Sequence, residues 1–245
     1  ARPDRRIAFP AMSADERQNA WAAAGRAAAA QVEDGMRVGL GTGRAAAAGI
    51  RALGERVAQG LRCTGYTTSR ASTALARELG IPLGRLDAPL DLAFDGADAV
   101  DPRGLVVKGA GGALVRERIV AHAAGRFLIL VDAPKVVASL DSWGTLPLAV
   151  VPFAVRRVAR ELSDLDPRVR PGRSDDGLAL LDLAPPAGAD WVAVAARAIA
   201  IPGVVDHGLF AVSLADVVVG RPDGGWDPAG TAGAGATIPG CPPPR

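Results

Sequence analysis

The segment richest in chemistry is Lys108-Gly109-Ala110-Gly111-Gly112-Ala113-Leu114-Val115-Arg116-Glu117-Arg118, where a lysine closing an apolar run precedes a glycine-rich loop and then an acid. Such a loop, followed by a helix N-terminus, presents backbone N–H groups to an oxyanion, and Lys108 adds a cation. Glu117, in the first turns of that helix, is placed to take a proton from carbon. A base beside an enolate stabiliser is what abstraction of a proton next to a carbonyl requires. Of the chain's 28 basic residues only two are lysines, Lys108 and Lys135. Where arginine serves as nearly every cation, a remaining lysine marks a place that needs a compact ammonium rather than a planar fork. Lys135 stands in Val131-Asp132-Ala133-Pro134-Lys135, again just after an apolar strand.

Phe94-Asp95-Gly96-Ala97-Asp98 puts two carboxylates three residues apart where a strand ends, a position from which they can bind sugar hydroxyls or move protons during ring opening. Gly39-Leu40-Gly41-Thr42-Gly43 follows a strand and opens a helix, the arrangement of an anion site. The dinucleotide fingerprint would need a third glycine where Arg44 stands, so a dehydrogenase loses its main support. A carboxylate metal site including Asp101 has no further ligand near it, and no metal or other cofactor is expected. His122, five residues after Glu117, shares no helix face with it, and it and His207 are read as structural. The two cysteines, Cys63 and Cys241, make neither a disulfide framework nor a thiolate metal site.

These groups need a scaffold. Ser13-Ala14-Asp15-Glu16 has the form of a capping box and predicts a helix over about 14–33. Beyond it lie a strand at 36–40, a helix at 44–59, a strand at 62–67, a helix at 72–79, strands at 91–94 and 105–107, a helix at 113–124 and a strand at 127–131. Alternating β and α predicts a doubly wound, mostly parallel, Rossmann-like α/β sheet with its site at the carboxyl ends of the strands. The pattern then changes: a strand at 148–151, a helix at 153–162, a strand at 178–183, a helix at 190–199 and a strand from 204 to 210. This second set predicts a smaller α+β, ferredoxin-like domain over 146–212. The main domain comprises 1–145 with 213–222, a last strand at 215–219 returning to its sheet. The Pro- and Gly-rich tail, 223–245, is expected to be disordered.

Composition bounds the rest. With 245 residues, 49% of them hydrophobic, and 28 basic residues against 26 acidic ones, the chain is neither a disordered polyelectrolyte nor a strongly basic nucleic-acid binder. It has no apolar run of membrane-spanning length, and its first residues lack a secretory apolar stretch, so a cytoplasmic protein without nucleic-acid or membrane partners is expected.

Together the motifs resemble the type A ribose-5-phosphate isomerases, in family order over about residues 14–222. The segments are Val38 to Gly43, Thr68-Ser69 with Ala71-Ser72-Thr73, Asp95 to Asp98, Lys108 to Glu117, Asp132 to Lys135, and Ile201 to Phe210. The resemblance implies a two-domain homo-oligomer that interconverts ribose 5-phosphate and ribulose 5-phosphate through an enediolate, without metal or nucleotide. Glu117 matches the general base, Asp95, Asp98 and Lys108 the polar groups around the sugar, and Lys135 the second active-site lysine. Gly41, Thr42, Gly43, Arg44, Ser69, Gly109, Gly111 and Gly112 fall where substrate is bound. The departures cluster. The usual Gly-Thr-Gly-Ser-Thr reads Gly41-Thr42-Gly43-Arg44-Ala45, and Trp21 or Ala22 falls where the first helix carries a phosphate-contacting lysine. The proton-transfer groups are intact and the phosphate clamp is altered. Two alternatives follow, the same chemistry on a modified or unphosphorylated sugar and a non-catalytic sugar-phosphate sensor, for which Glu117 beside Lys108 has no use.

Overall fold

A computed structural model describes residues 12–229. In chain order its elements are α1 (Ala14–Ala29), β1 (Arg37–Leu40), α2 (Arg44–Ala58), β2 (Thr64–Thr67), α3 (Arg70–Glu78), β3 (Leu90–Gly96), β4 (Ala99–Val100), β5 (Leu105–Val107), α4 (Leu114–Ala123) and β6 (Ala124–Asp132). They continue with β7 (Leu146–Val150), α5 (Val155–Glu161), β8 (Arg168–Val169), β9 (Ala179–Leu183), α6 (Trp191–Ile199), β10 (Val204–His207), β11 (Leu209–Ala211), β12 (Val217–Gly220) and β13 (Trp226–Pro228). The main sheet has the order β13-β12-β6-β3-β1-β2, parallel except for β13 at its edge. Helices cover it, so this is the doubly wound α/β fold expected from the alternation. A smaller antiparallel sheet, β10-β7-β9-β8, carries α5 and α6, and a three-stranded sheet, β11-β5-β4, joins two strands from between β3 and β6 to one from between β10 and β12.

Small residues set the layer spacing. A Cβ at Gly25 of α1 would overlap the backbone of Ala48 and Gly49 in α2, so the two alanine-rich helices pack backbone to backbone over the sheet. The core beneath them joins Ala24, Ala28, Ile50 and Leu53 to Leu40, Phe94, Leu128 and Leu130. On the other side of β6, Ile129 and Val131 face Val106, Phe210 and Val217. This alternation along β6 follows from the two-residue period of a strand.

Three expectations are corrected. The first helix has its capping box, with the Ser13 N–H donating to Glu16 Oε2 at 2.7 Å, but it ends at Ala29 rather than 33. The Arg56 guanidinium donates to the carbonyls of Ala29 and Val32, holding the chain in a turn there. The strand expected from 204 to 210 breaks at Gly208 into β10 and β11, which belong to different sheets. Within the tail expected to be disordered from 223, Trp226–Pro228 forms β13 and pairs antiparallel with β12. The rest of that call, 230–245 with Cys241, lies outside the described residues. Cys63 is buried and free.

Candidate active site

The carboxyl ends of β1, β3 and β6 and the amino ends of α2 and α4 open on one cavity of about 210 Å³. Its walls include Thr42, Gly43, Arg44, Asp98, Lys108, Gly109, Gly111, Glu117 and Lys135, nine of the residues singled out in the sequence.

The turn after β1 is built around Asp95. The Thr42 N–H donates to Asp95 Oδ1 at 2.9 Å and the Gly96 N–H donates to the same oxygen at 2.7 Å. No side chain fits at Gly41, because a Cβ there would lie inside the Asp95 carboxyl. Gly43 caps α2 with φ +98°, a conformation that glycine adopts without strain, and leaves the helix's first N–H groups facing the cavity. Asp95 itself, 1% exposed, does not line the cavity. It lies beneath it and positions the groups that do.

Lys108 is 2% exposed and sits between two acids, its Nζ 3.1 Å from Asp95 Oδ2 and 3.5 Å from Glu117 Oε2. It also donates to the Gly96 carbonyl. Its backbone is fixed by the break at Gly208. The Lys108 N–H donates to Gly208 O at 2.8 Å, the Gly208 N–H donates to Pro147 O at 2.7 Å, and a Cβ at Gly208 would overlap the Lys108 carbonyl. The glycine loop that follows is pinned from both sides. The Ala110 N–H donates to Asp98 Oδ2 at 2.9 Å, and Arg170 Nη1 donates to the carbonyls of Gly109 and Ala110 at 2.8 and 3.0 Å. Arg170, oriented by Asp182, has no signal in the sequence; it follows β8 of the small sheet and supports the loop between β5 and α4.

Three expected binding residues stand elsewhere, the first of them Gly41, which lies against Asp95 rather than on the cavity wall. Ser69 is the buried N-cap of α3, accepting from the Ser72 N–H, and does not line the cavity. Gly112 turns the chain with φ +78° against Leu180, behind the cavity wall. Asp101 is buried in a local turn, accepting from the N–H groups of Arg103 and Leu105. No cluster of three metal-ligating side chains occurs among the described residues.

The electrostatics follow from burial. Glu117 is pushed up to about 8, first by loss of water and then by the charge of Asp95, with Lys108 opposing. Burial also raises Asp95, against the pull of Lys108. For Lys108 burial alone would favour the neutral amine, but Asp95 and Glu117 outweigh it and hold the proton on. One ammonium cannot neutralise two carboxylates. Asp95 has two backbone donors and the nearer approach to the lysine, and Glu117, with only the longer contact to that lysine, holds a proton until about pH 8. His207, in contrast, is buried and pushed down to about 3 by burial and Arg118, its Nδ1 accepting from the Leu209 N–H. It is neutral and structural, as expected; His122 lies exposed on α4.

The profile of the ribose 5-phosphate isomerase A (phosphoriboisomerase A) family matches residues 64–224. A ribose-5-phosphate isomerase A of Thermomicrobium roseum is 48% identical over 207 residues, 80% of this chain and 87% of that protein. This chain belongs to the ribose 5-phosphate isomerase A family. Among solved structures, ribose 5-phosphate isomerase A of Methanocaldococcus jannaschii superposes with a TM-score of 0.80 at 35% identity, covering 86% of this chain and 97% of that one. A D-ribose-5-phosphate isomerase in complex with phospho-erythronic acid gives 0.79 at 32% identity, with the same two coverages. Within the family frame the altered turn becomes concrete. The guanidinium carbon of Arg44 stands 4.6 Å from the centre of the Trp21 ring, so the two positions that the sequence reading singled out as unusual touch each other at the cavity's edge.

Proposed function

We propose that this chain interconverts ribose 5-phosphate and ribulose 5-phosphate through an enediolate, with Glu117 as the base. The observation that carries this reading is a buried carboxyl raised to about 8 and 3.5 Å from a buried ammonium, both on the wall of one cavity. In its ionised form Glu117 takes the proton from C2 of the open-chain aldose; the electron pair moves to form the C1–C2 double bond, and the carbonyl oxygen becomes an oxyanion. Lys108 and the N–H groups of the glycine loop face that charge. Returning the proton from Glu117 to C1, while the C2 hydroxyl passes its own proton to the O1 oxyanion and becomes the carbonyl, yields the ketose. Asp98, on the cavity wall, accepts hydrogen bonds from sugar hydroxyls, and Asp95 acts through Lys108. Phospho-erythronic acid, bound by the relative at 32% identity, carries a phosphate and a carboxylate resembling the planar oxygens of an enediolate.

A homo-oligomer in the cytoplasm is part of the same proposal. Supporting self-association, Ile119, Val151, Phe153 and Val169 leave apolar surface exposed, Phe153 at 99%; no described helix is long and apolar enough to cross a membrane. A second substrate reading, an unphosphorylated or modified pentose, is favoured by Arg44 standing where the family has a small hydroxyl residue. One experiment separates the two: NMR of the purified chain in D₂O with ribose 5-phosphate, ribose and other pentoses. Ribulose 5-phosphate carrying deuterium on carbon is the expected product. Turnover confined to a sugar without phosphate would replace the substrate, and no turnover of any pentose would sink the isomerase.

A further inference from the structure

Asp132 closes β6 on the cavity wall, is 0% exposed, and among the described residues has no hydrogen-bond partner at either carboxylate oxygen. It precedes a short 3₁₀ turn, Ala133–Lys135, where an aspartate would ordinarily cap, yet it makes no cap. A buried carboxylate without a donor is strongly unfavourable, so its retention calls for a partner that arrives later.

The strand's alternation says from which side. Asp132 follows Leu128 and Leu130, which face α1 and α2, whereas Ile129 and Val131 face away. Its register partner on β12 is Gly220, where α1 presses so closely that a Cβ would overlap the carbonyl of Ala20, the residue before Trp21. Asp132, Trp21 and Arg44 thus border the same end of the cavity. Arg44 is exposed, and among the described residues its guanidinium makes no hydrogen bond or ion pair, only the contact with Trp21. Lys135, on the same wall and without a hydrogen bond or ion pair among the described residues, rests on Trp143, which packs with the core of the small sheet.

We infer that Asp132 is a positioning residue for Arg44: when the substrate's phosphate enters, Arg44 leaves Trp21 and bridges the two anions, one edge of its fork on Asp132 and the other on phosphate. This rests on the phosphate-ester reading above. A guanidinium has two faces of donors suited to two oxyanions, and a single exposed cation–π contact is weak against two charge-assisted pairs. Without a cation between them, Asp132 would repel phosphate. The same carboxylate therefore helps when Arg44 is present and hinders when it is absent.

The test is a double-mutant cycle of Asp132→Asn and Arg44→Ala, read by steady-state kinetics with ribose 5-phosphate and by calorimetry with inorganic phosphate. Asp132→Asn should raise KM and the phosphate Kd together by about tenfold, with a smaller change in kcat. In the Arg44→Ala background the sign should reverse, the double variant binding phosphate at least as tightly as Arg44→Ala alone. Arg44→Lys, an exposed change that keeps the charge but loses the fork, should recover only a minor part of the affinity. Additive losses, a phosphate Kd unchanged within twofold in Asp132→Asn, or full function in Arg44→Lys would each overturn the inference. Absence of turnover by the wild-type chain would sink the isomerase reading alone, since the phosphate titrations judge the pair independently.

Discussion

Replacing Glu117 by Gln should abolish catalysis and stabilise the fold, with a pH dependence that identifies the cause. Glu117 is 4% exposed and is raised from 4.5 to about 8 by burial and by Asp95. At about 1.4 kcal/mol per tenfold change in proton affinity, ionising it in the folded chain costs at most roughly 4–5 kcal/mol. Below about pH 4.5 folded and unfolded chains both hold the proton and the group contributes nothing to the pH dependence. Between 4.5 and 8 the unfolded chain releases the proton while the folded one keeps it, so stability falls as pH rises; above about 8 the full cost is present. Gln resembles the protonated carboxyl. The variant should therefore melt within about 2 °C of wild type at pH 5 and at least about 5 °C higher at pH 8.5, given roughly 2–4 °C per kcal/mol for a chain of this size. In parallel kcat should drop by about 10²–10⁴-fold. For the wild type kcat/KM should climb with pH and level off above about 8, as the base ionises in the free enzyme. Calorimetric melts and initial rates across pH 5–9 read both. A Gln variant no more stable at pH 8.5 than at pH 5, relative to wild type, would refute the buried-charge argument; kcat within threefold of wild type would remove Glu117 from the chemistry.

Lys108→Arg should fail nearly as badly as Lys108→Ala in initial-rate assays, because a guanidinium does not fit a 2%-exposed site held by Asp95, Glu117 and the Gly96 carbonyl; near-normal turnover in the Arg variant would show that the site only needs a positive charge. Gly41→Ala places a methyl group inside the Asp95 carboxyl, so it should cost about 1–3 kcal/mol in denaturant melts and lower kcat at least tenfold by displacing Asp95 from Lys108, and unchanged melts with full activity would disprove the close approach.

The alternation of strands and helices, the glycine turn, the capping box and the acids and lysines that share the cavity were legible because each is a local pattern: a period, a cap, a residue type at a strand's end. What the sequence missed depends on distance in space. Nothing local says that residues 204–210 must change sheets at Gly208, because the reason is the Lys108 backbone lying against it, about a hundred positions earlier. Arg170 is one of many arginines until the small sheet folds under the glycine loop. Ser69 reads as a binding hydroxyl until α3 forms and consumes it as a cap.

The acids show the same limit most sharply, and they show what the fold adds to a list of residue types. Asp95, Asp98, Glu117 and Asp132 all stand near strand ends or helix starts, and by sequence any of them could touch a sugar. The structure divides them by their donors. Asp95 has two backbone N–H groups and a lysine, and it lies beneath the cavity rather than on its wall. Asp98 is tied to the glycine loop through Ala110 while still facing the cavity. Glu117 has one shared ammonium and little else, and burial first, then Asp95, raises it to about 8, the property that the proposed base would need. Asp132 has no donor among the described residues. A carboxylate's role in this cavity thus follows from how much of its charge the fold has already neutralised. The more completely the fold supplies donors, the more the acid is architecture; the less it supplies, the more the acid is reserved for what enters the cleft.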